Sequence, residues 1–173
     1  MEVARVRPVQ VDSSDVGFRL GPRINAAGRL DDASVGVRLL LSQDMKPARR
    51  LAEALDEANK NRRLVEGEVF RQAVTQIEEA GDLPPALVLA NPTWHPGVVG
   101  IVASKLVERF DRPTILIGEG GRGSARTAKN LHLYNALSDC ADHLTKWGGH
   151  RAAAGMRISH TKVEGFRQDF LQR

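Results

Sequence analysis

Residues 46–80 keep a helical rhythm over 35 residues, and this stretch limits the architecture more than any other part of the chain. Unbroken, it spans roughly 50 Å at about 1.5 Å per residue, which is long for a small domain and suits an arm or a connector between two lobes. Apolar or small residues recur at Ala48, Leu51, Ala52, Leu55 and Ala58, then at Val65, Val69, Ala73, Ile77 and Ala80, broadly on one face. Pro47 suits a first-turn position. The polar middle, Asn59-Lys60-Asn61-Arg62-Arg63, could hold a bend, and Gly67 weakens the pattern mildly. Gly81-Asp82-Leu83-Pro84-Pro85 ends the helix.

Beyond those prolines the rhythm changes. Ala86–Ala90 is a short apolar run of buried-strand type, and Thr114–Ile117 is a second. Between them, a turn at Asn91–Gly97 leads into a helix over Val98–Phe110. Gly118–Gly123 reads as a glycine-rich turn, Ser124–Thr127 as an edge strand and Leu133–Leu144 as a helix. Gly148-Gly149-His150 reads as a loop, Ala152–Ile158 as a strand and Lys162–Gln172 as a closing helix. Strands alternating with helices argue for an α/β domain. The expected fold class is therefore α/β: an N-terminal helical arm with a long connector helix, about 1–83, then a compact domain, about 84–173, with a small mixed sheet flanked by helices. Residues 1–20 read as irregular, and Asp31 or Asp32 could cap a short helix over Ala33–Leu41.

Composition narrows the partners. A chain of 173 residues fits one domain, or one domain plus an appendage. No apolar run is long enough to span a membrane. Met1-Glu2-Val3-Ala4-Arg5 is no signal peptide, and the lone Cys140 suits a reducing, cytoplasmic home. Histidines and aspartates are too scattered to suggest a metal site. The net charge of +4 is mild, but several arginines stand close to glycines: Arg23, Arg29, Arg122, Arg126 and Arg151. A guanidinium fork fits a phosphate at two points, and glycine lets the backbone come close, so a phosphate-bearing partner is favoured.

Four motifs carry chemistry, each with a plainer reading. Gly21-Pro22-Arg23-Ile24-Asn25-Ala26-Ala27-Gly28-Arg29 reads as a turn where backbone N–H groups and two guanidinium groups converge on phosphate, or as a helix-entry turn with surface arginines. Trp94–Ser104 is a turn opening a helix whose free N–H groups could hold an anion. Its plainer reading has Gly100 and Ala103 small for packing and His95 as a structural histidine. In Gly121–Arg126, Ser124 and Arg126 stand two apart, so on a strand they share a face and could clamp a phosphate. The alternative is a solvated edge strand. Gly148-Gly149-His150, followed by Ala152-Ala153-Ala154-Gly155, carries an imidazole into a confined place with small residues around it, or is a tight turn before a strand.

These four motifs, in this order, resemble RecJ-type proteins of the DHH phosphoesterase superfamily from about Gly17 to Phe166. Gly123-Ser124-Ala125-Arg126 and the Gly-Gly-His element mark the DHH-associated domain. The 21–29 motif points to the RecJ branch rather than to oligoribonuclease or cyclic-dinucleotide phosphodiesterase relatives. The resemblance implies a two-lobed exonuclease that removes nucleotides 5′ to 3′ from single-stranded DNA in repair and recombination. In such an enzyme Mn2+ or Mg2+ sits in a DHH lobe, and the other lobe grips the strand. By that resemblance Arg23, Asn25, Arg29, Ser124, Arg126, Gly148, Gly149 and His150 contact the nucleic-acid phosphates, and His150 could assist catalysis. This sequence contains no Asp-His-His. The chain is therefore expected to start where that lobe ends, to hold no metal and to bind without cutting. Two other readings stay open: a binder of small phosphoesters or cyclic dinucleotides, and an interaction piece that forms a homodimer through the 46–80 helix.

Overall fold

The computed structural model describes residues 1–30, 32–127 and 131–172. Its chain divides into two compact units, Met1–Val65 and Glu66–Arg173. Six α-helices and a five-stranded mixed sheet make up the described residues.

In the first unit, helix α1 (Gly21–Leu30) packs against α2 (Ser34–Leu41) and is preceded by a π-helical stretch, Asp15–Leu20. The turn expected at residues 21–29 is thus a helix. Its middle, Asn25-Ala26-Ala27, has no residue that breaks a helix, and burial of Ala26 and Ala27 fixes it. The expected irregular start also carries short 3-10 turns at Glu2–Ala4 and Pro8–Gln10. Of the two capping candidates for α2, Asp31 lies outside the described residues. Asp32 Oδ1 accepts from the Ser34 backbone N–H at 2.9 Å.

Helix α3 runs from Met45 to Ala80, 36 residues, through the polar middle where a bend was allowed for. Leu55 is buried in the first unit, and Val69, Ala73 and Ile77 are buried in the second, following the apolar stripe expected of residues 46–80. No helix among the described residues is long and apolar enough to cross a membrane.

The second unit is built on a sheet of strand order β1-β2-β3-β5-β4, with β1 Leu87–Ala90, β2 Thr114–Ile117, β3 Arg122–Arg126, β4 Leu144–Gly149 and β5 Ala153–Ile158. Helix α4 (Pro96–Phe110) joins the parallel pair β1–β2, and the remaining pairs are antiparallel. One face of the sheet presents Val88, Ile115, Ile117, Ala125, Ala154, Met156 and Ile158 to helices α5 (Leu133–Asp139) and α6 (Val163–Leu171), closing a core around Phe166 and Phe170. On the opposite face α4 packs over β2 and β3 with Val98, Val102, Ala103 and Leu106 buried, while β5 and β4 are left open there.

The structure differs from three of these expectations. The segment read as an edge strand, Ser124–Thr127, belongs to β3, which is the central strand of the sheet. Ser124 and Arg126 are polar because of what lies over them, not because they line an outer edge. The helix read over Leu133–Leu144 ends at Asp139, and β4 follows. Gly148 and Gly149 close that strand, so only His150 of the three belongs to the turn.

The outer edge of β1 is occupied. Leu87 N–H and Asn91 N–H donate toward β2, to Pro113 O and Ile117 O, so the groups of Val88 and Ala90 point outward. Arg167 Nε donates to Val88 O at 2.9 Å and Gln76 Nε2 to Ala90 O at 3.4 Å.

Candidate nucleic-acid interface

The open half of the sheet is where the chemistry-bearing residues of the second unit meet. Alternation along β3 sends Ala125 into the core and Arg122, Ser124 and Arg126 to the other face. Arg126 Nη1 donates to Ser124 Oγ at 2.9 Å and to Ala125 O at 2.7 Å. The guanidinium is thereby laid along its own strand. Because Ser124 Oγ accepts that bond, its O–H remains a donor.

Helix α4 comes down on this pair at a glycine. A Cβ added to Gly100 would lie 2.9 Å from both Arg126 Nη2 and Ser124 Oγ. Gly100 therefore does more than let helix and sheet pack; it makes room for the Ser124–Arg126 pair. His95 takes its plainer reading: it is the N-cap of α4, with Nδ1 accepting from the Gly97 backbone N–H at 3.0 Å. Trp94, fully buried, donates from Nε1 to Gln72 Oε1 at 2.7 Å and fixes the turn that precedes the cap.

On the far side of Ser124 the sheet is floored with glycine. Ser124 pairs with Gly155, and Gly155 pairs with Gly148. Both glycines are exposed, neither has a positive φ, and an added Cβ meets nothing at Gly148 and nothing nearer than 3.9 Å at Gly155. No contact among the described residues demands glycine at either place, yet glycine weakens a strand interior and often marks where a ligand comes close. Gly149 is a different case. Its φ of +150° and the 2.5 Å at which an added Cβ would meet Ala154 Cα require glycine for the backbone itself. The following turn is tied down on three sides: His150 N–H donates to Ala153 O at 2.8 Å, Thr127 N–H to Ala152 O at 3.2 Å and Leu133 N–H to Arg151 O at 2.9 Å. The His150 side chain is exposed on that turn.

The three candidates from the first motif lie in the first unit, on α1. Asn25 and Arg29 are exposed and one helical repeat apart, so they share a face. Arg23 points elsewhere, with Nε on Asp56 Oδ1 at 2.8 Å and Nη1 on Arg19 O at 2.7 Å. Burial of Asp56 would by itself raise its pKa. The hydrogen bonds and charges of Lys60 and Arg23 override that and hold the carboxyl below the usual carboxylate range. A lowered folded-state pKa means stability that is present above about pH 4 and lost as pH falls through the folded value. Asp56→Asn should therefore lose less stability than the parent chain when urea midpoints near neutrality are compared with those near about pH 3. Equal losses in the two proteins would show that the ion pair contributes nothing.

Among the described residues no group of three or more His, Cys, Asp or Glu side chains could hold a metal ion. The Mg2+ or Mn2+ of the resembling enzymes thus has no fitting donor set among them.

Lysine and arginine on the same open face, at Lys146 and Arg157, escape a reading by motif, because nothing in sequence marks them as neighbours of Ser124. Only the register of β4 and β5 does. The fold and this face define the class: a mixed α/β domain whose glycine-floored sheet adjoins a serine–arginine pair. The family profile of the DHHA1 domain matches residues 83–173, and the chain belongs to that family. It is 45% identical to the single-stranded-DNA-specific exonuclease RecJ of Dickeya dadantii (strain 3937), over 98% of this chain and 32% of the relative. To the RecJ of Bacillus subtilis (strain 168) it is 42% identical, over 91% of this chain and 21% of that one. The crystal structure of RecJ in complex with Mg2+ from Thermus thermophilus superposes with a TM-score of 0.91 at 34% identity, covering 99% of this chain and 27% of that structure. The chain thus spans a third or less of the length of these relatives.

Proposed function

We propose that this chain is the strand-gripping part of a RecJ-like 5′-to-3′ single-strand DNA exonuclease of DNA repair and recombination. In this reading it holds the phosphate backbone for a DHH lobe, outside this sequence, that carries Mn2+ or Mg2+ and does the cutting. The observation that carries the reading is the glycine floor beside Ser124 and Arg126. Gly148 and Gly155 offer space that nothing among the described residues fills, and their backbone groups are committed to strand pairing, so the floor supplies room rather than hydrogen bonds. The bonds come from its border: the Ser124 hydroxyl as donor and the Arg126 charge as counter-ion. His150, exposed at the end of the same floor, adds a further donor to phosphate. Gly149 serves by making the tight backbone that carries it. Within the first unit, Asn25 and Arg29 offer a polar face of α1 to phosphate, with Arg23 bracing that helix through Asp56.

The residues described here can position a phosphate, and activation of the attacking water falls to the metal lobe. The test is the affinity of the purified chain for 5′-phosphorylated single-stranded DNA at two salt concentrations, with Mn2+ present and released nucleotide monitored. Salt-sensitive binding without release is expected. Absence of binding would overturn the reading, and release of nucleotide would overturn the division of labour.

A further inference from the structure

The floor continues into a cluster of charge that the family motifs do not include. In the sheet register Arg122 pairs with Arg157, and Arg157 pairs with Lys146. Three cations from β3, β5 and β4 thus stand in one row across the open face, and all three are exposed. The row lies two residues along the strands from Ser124, Gly155 and Gly148, a step of about 7 Å. Like charges opposite one another on a sheet destabilise it. Among the described residues no carboxylate forms an ion pair with any of the three, including Glu119 on the neighbouring turn. Arg157 is steadied by Nε donating to Gly120 O at 3.4 Å, which places its fork without neutralising it.

We infer that Arg122, Arg157 and Lys146 form a second phosphate subsite, which receives the backbone of single-stranded nucleic acid one nucleotide step beyond the phosphate held at Ser124 and Arg126. The row is complementary in charge to a polyanion, and its spacing from Ser124 is comparable to the step between neighbouring phosphates of an extended strand. Glycine between the two subsites lets the intervening sugar lie against the sheet. The inference rests on the strand-gripping reading above and adds a direction to it: the strand crosses the open face from Arg126 toward Arg122.

The test compares a 5′-phosphorylated mononucleotide with a 5′-phosphorylated dodecanucleotide, each titrated against salt, for four proteins: the parent chain, Arg126→Ala, the triple variant Arg122→Gln/Lys146→Gln/Arg157→Gln, and Arg122→Lys/Arg157→Lys. Each single-strand phosphate contact contributes about 0.7 to the slope of log affinity against log salt. The triple variant should flatten the dodecanucleotide slope by about 0.7, the share of the one phosphate at the second subsite, and leave mononucleotide binding unchanged. The lysine variant keeps the charge and should keep the parent slope. An unchanged dodecanucleotide slope in the triple variant, alongside weakened binding by Arg126→Ala, overturns the second subsite alone. Loss of the slope in the lysine variant overturns its basis in charge. If the parent binds neither ligand, or if Arg126→Ala binds both as the parent does, the strand-gripping reading itself fails.

Discussion

Gly121→Ala should cost the second unit about 3 kcal/mol or more of stability, the largest effect expected of any single added methyl group in this chain. Gly121 is buried, has φ +68°, and leads directly into β3. A Cβ there would stand 1.8 Å from Ile158 O, a main-chain atom at the end of β5. No side-chain rotation relieves such an approach; either β3 or β5 must move, and the pairing between them is the middle of the sheet. Gly148→Ala is the matched control. It adds the same methyl group to the same sheet, at ordinary φ and with nothing within 4 Å. Its stability should stay within about 1 kcal/mol of the parent, while affinity for single-stranded DNA falls because the methyl group occupies the floor. Urea denaturation of both variants, with strand binding measured on the folded one, separates a glycine kept for the backbone from one kept for a ligand. Full affinity in a folded Gly148→Ala protein would remove the floor from the proposed site.

The second large effect is expected at Arg126. Replacing it with alanine should weaken strand binding by about 1–3 kcal/mol, about 5- to 150-fold, if the guanidinium makes a charge-assisted bond to phosphate. Arg126→Lys should recover only part of this. Lysine restores the charge, but its one nitrogen would have to serve Ser124 Oγ, Ala125 O and a phosphate together, whereas the guanidinium serves the first two from Nη1 alone and so orients the serine hydroxyl. Full recovery by lysine, measured by titration at low salt, would mean that charge alone matters and that the bridge to Ser124 is incidental.

Periodicity served well where one influence decides the structure. Thr114–Ile117 is buried on both faces, with Ile115, Leu116 and Ile117 apolar and the Thr114 hydroxyl bonded to Arg112 O, and its strand has the bounds expected of it. Helix α3 begins one residue before the expected range and ends with it, because a long amphipathic rhythm followed by Gly-Asp-Leu-Pro-Pro has no competing reading. The failures fall where tertiary context outweighs local pattern. Leu144–Gly149 contains no apolar run and ends in two glycines, so nothing local announces β4; pairing with β5 makes it a strand. Ser124–Thr127 resembles a solvated edge because its alternate residues are polar, yet it is central, with α4 lying over it. The candidate site divides the same way. Sharing of a face by Ser124 and Arg126 follows from a spacing of two, whereas their closeness to Gly100 depends on how α4 crosses the sheet. The cationic row depends on register between strands distant in sequence, which no single segment encodes.

The occupied edge of β1 bears on how this protein can associate. With Val88 O and Ala90 O already engaged by Arg167 and Gln76, a foreign strand arriving there would find its acceptors taken. Any lengthening of the sheet by a neighbouring peptide is thereby directed to the other end, where β4 carries Gly148 and Lys146. A strand arriving there would pair with the outward main-chain groups of Trp147 and Gly149, because His150 N–H donates to Ala153 O and the alternate residues Gly148 and Lys146 likewise face β5.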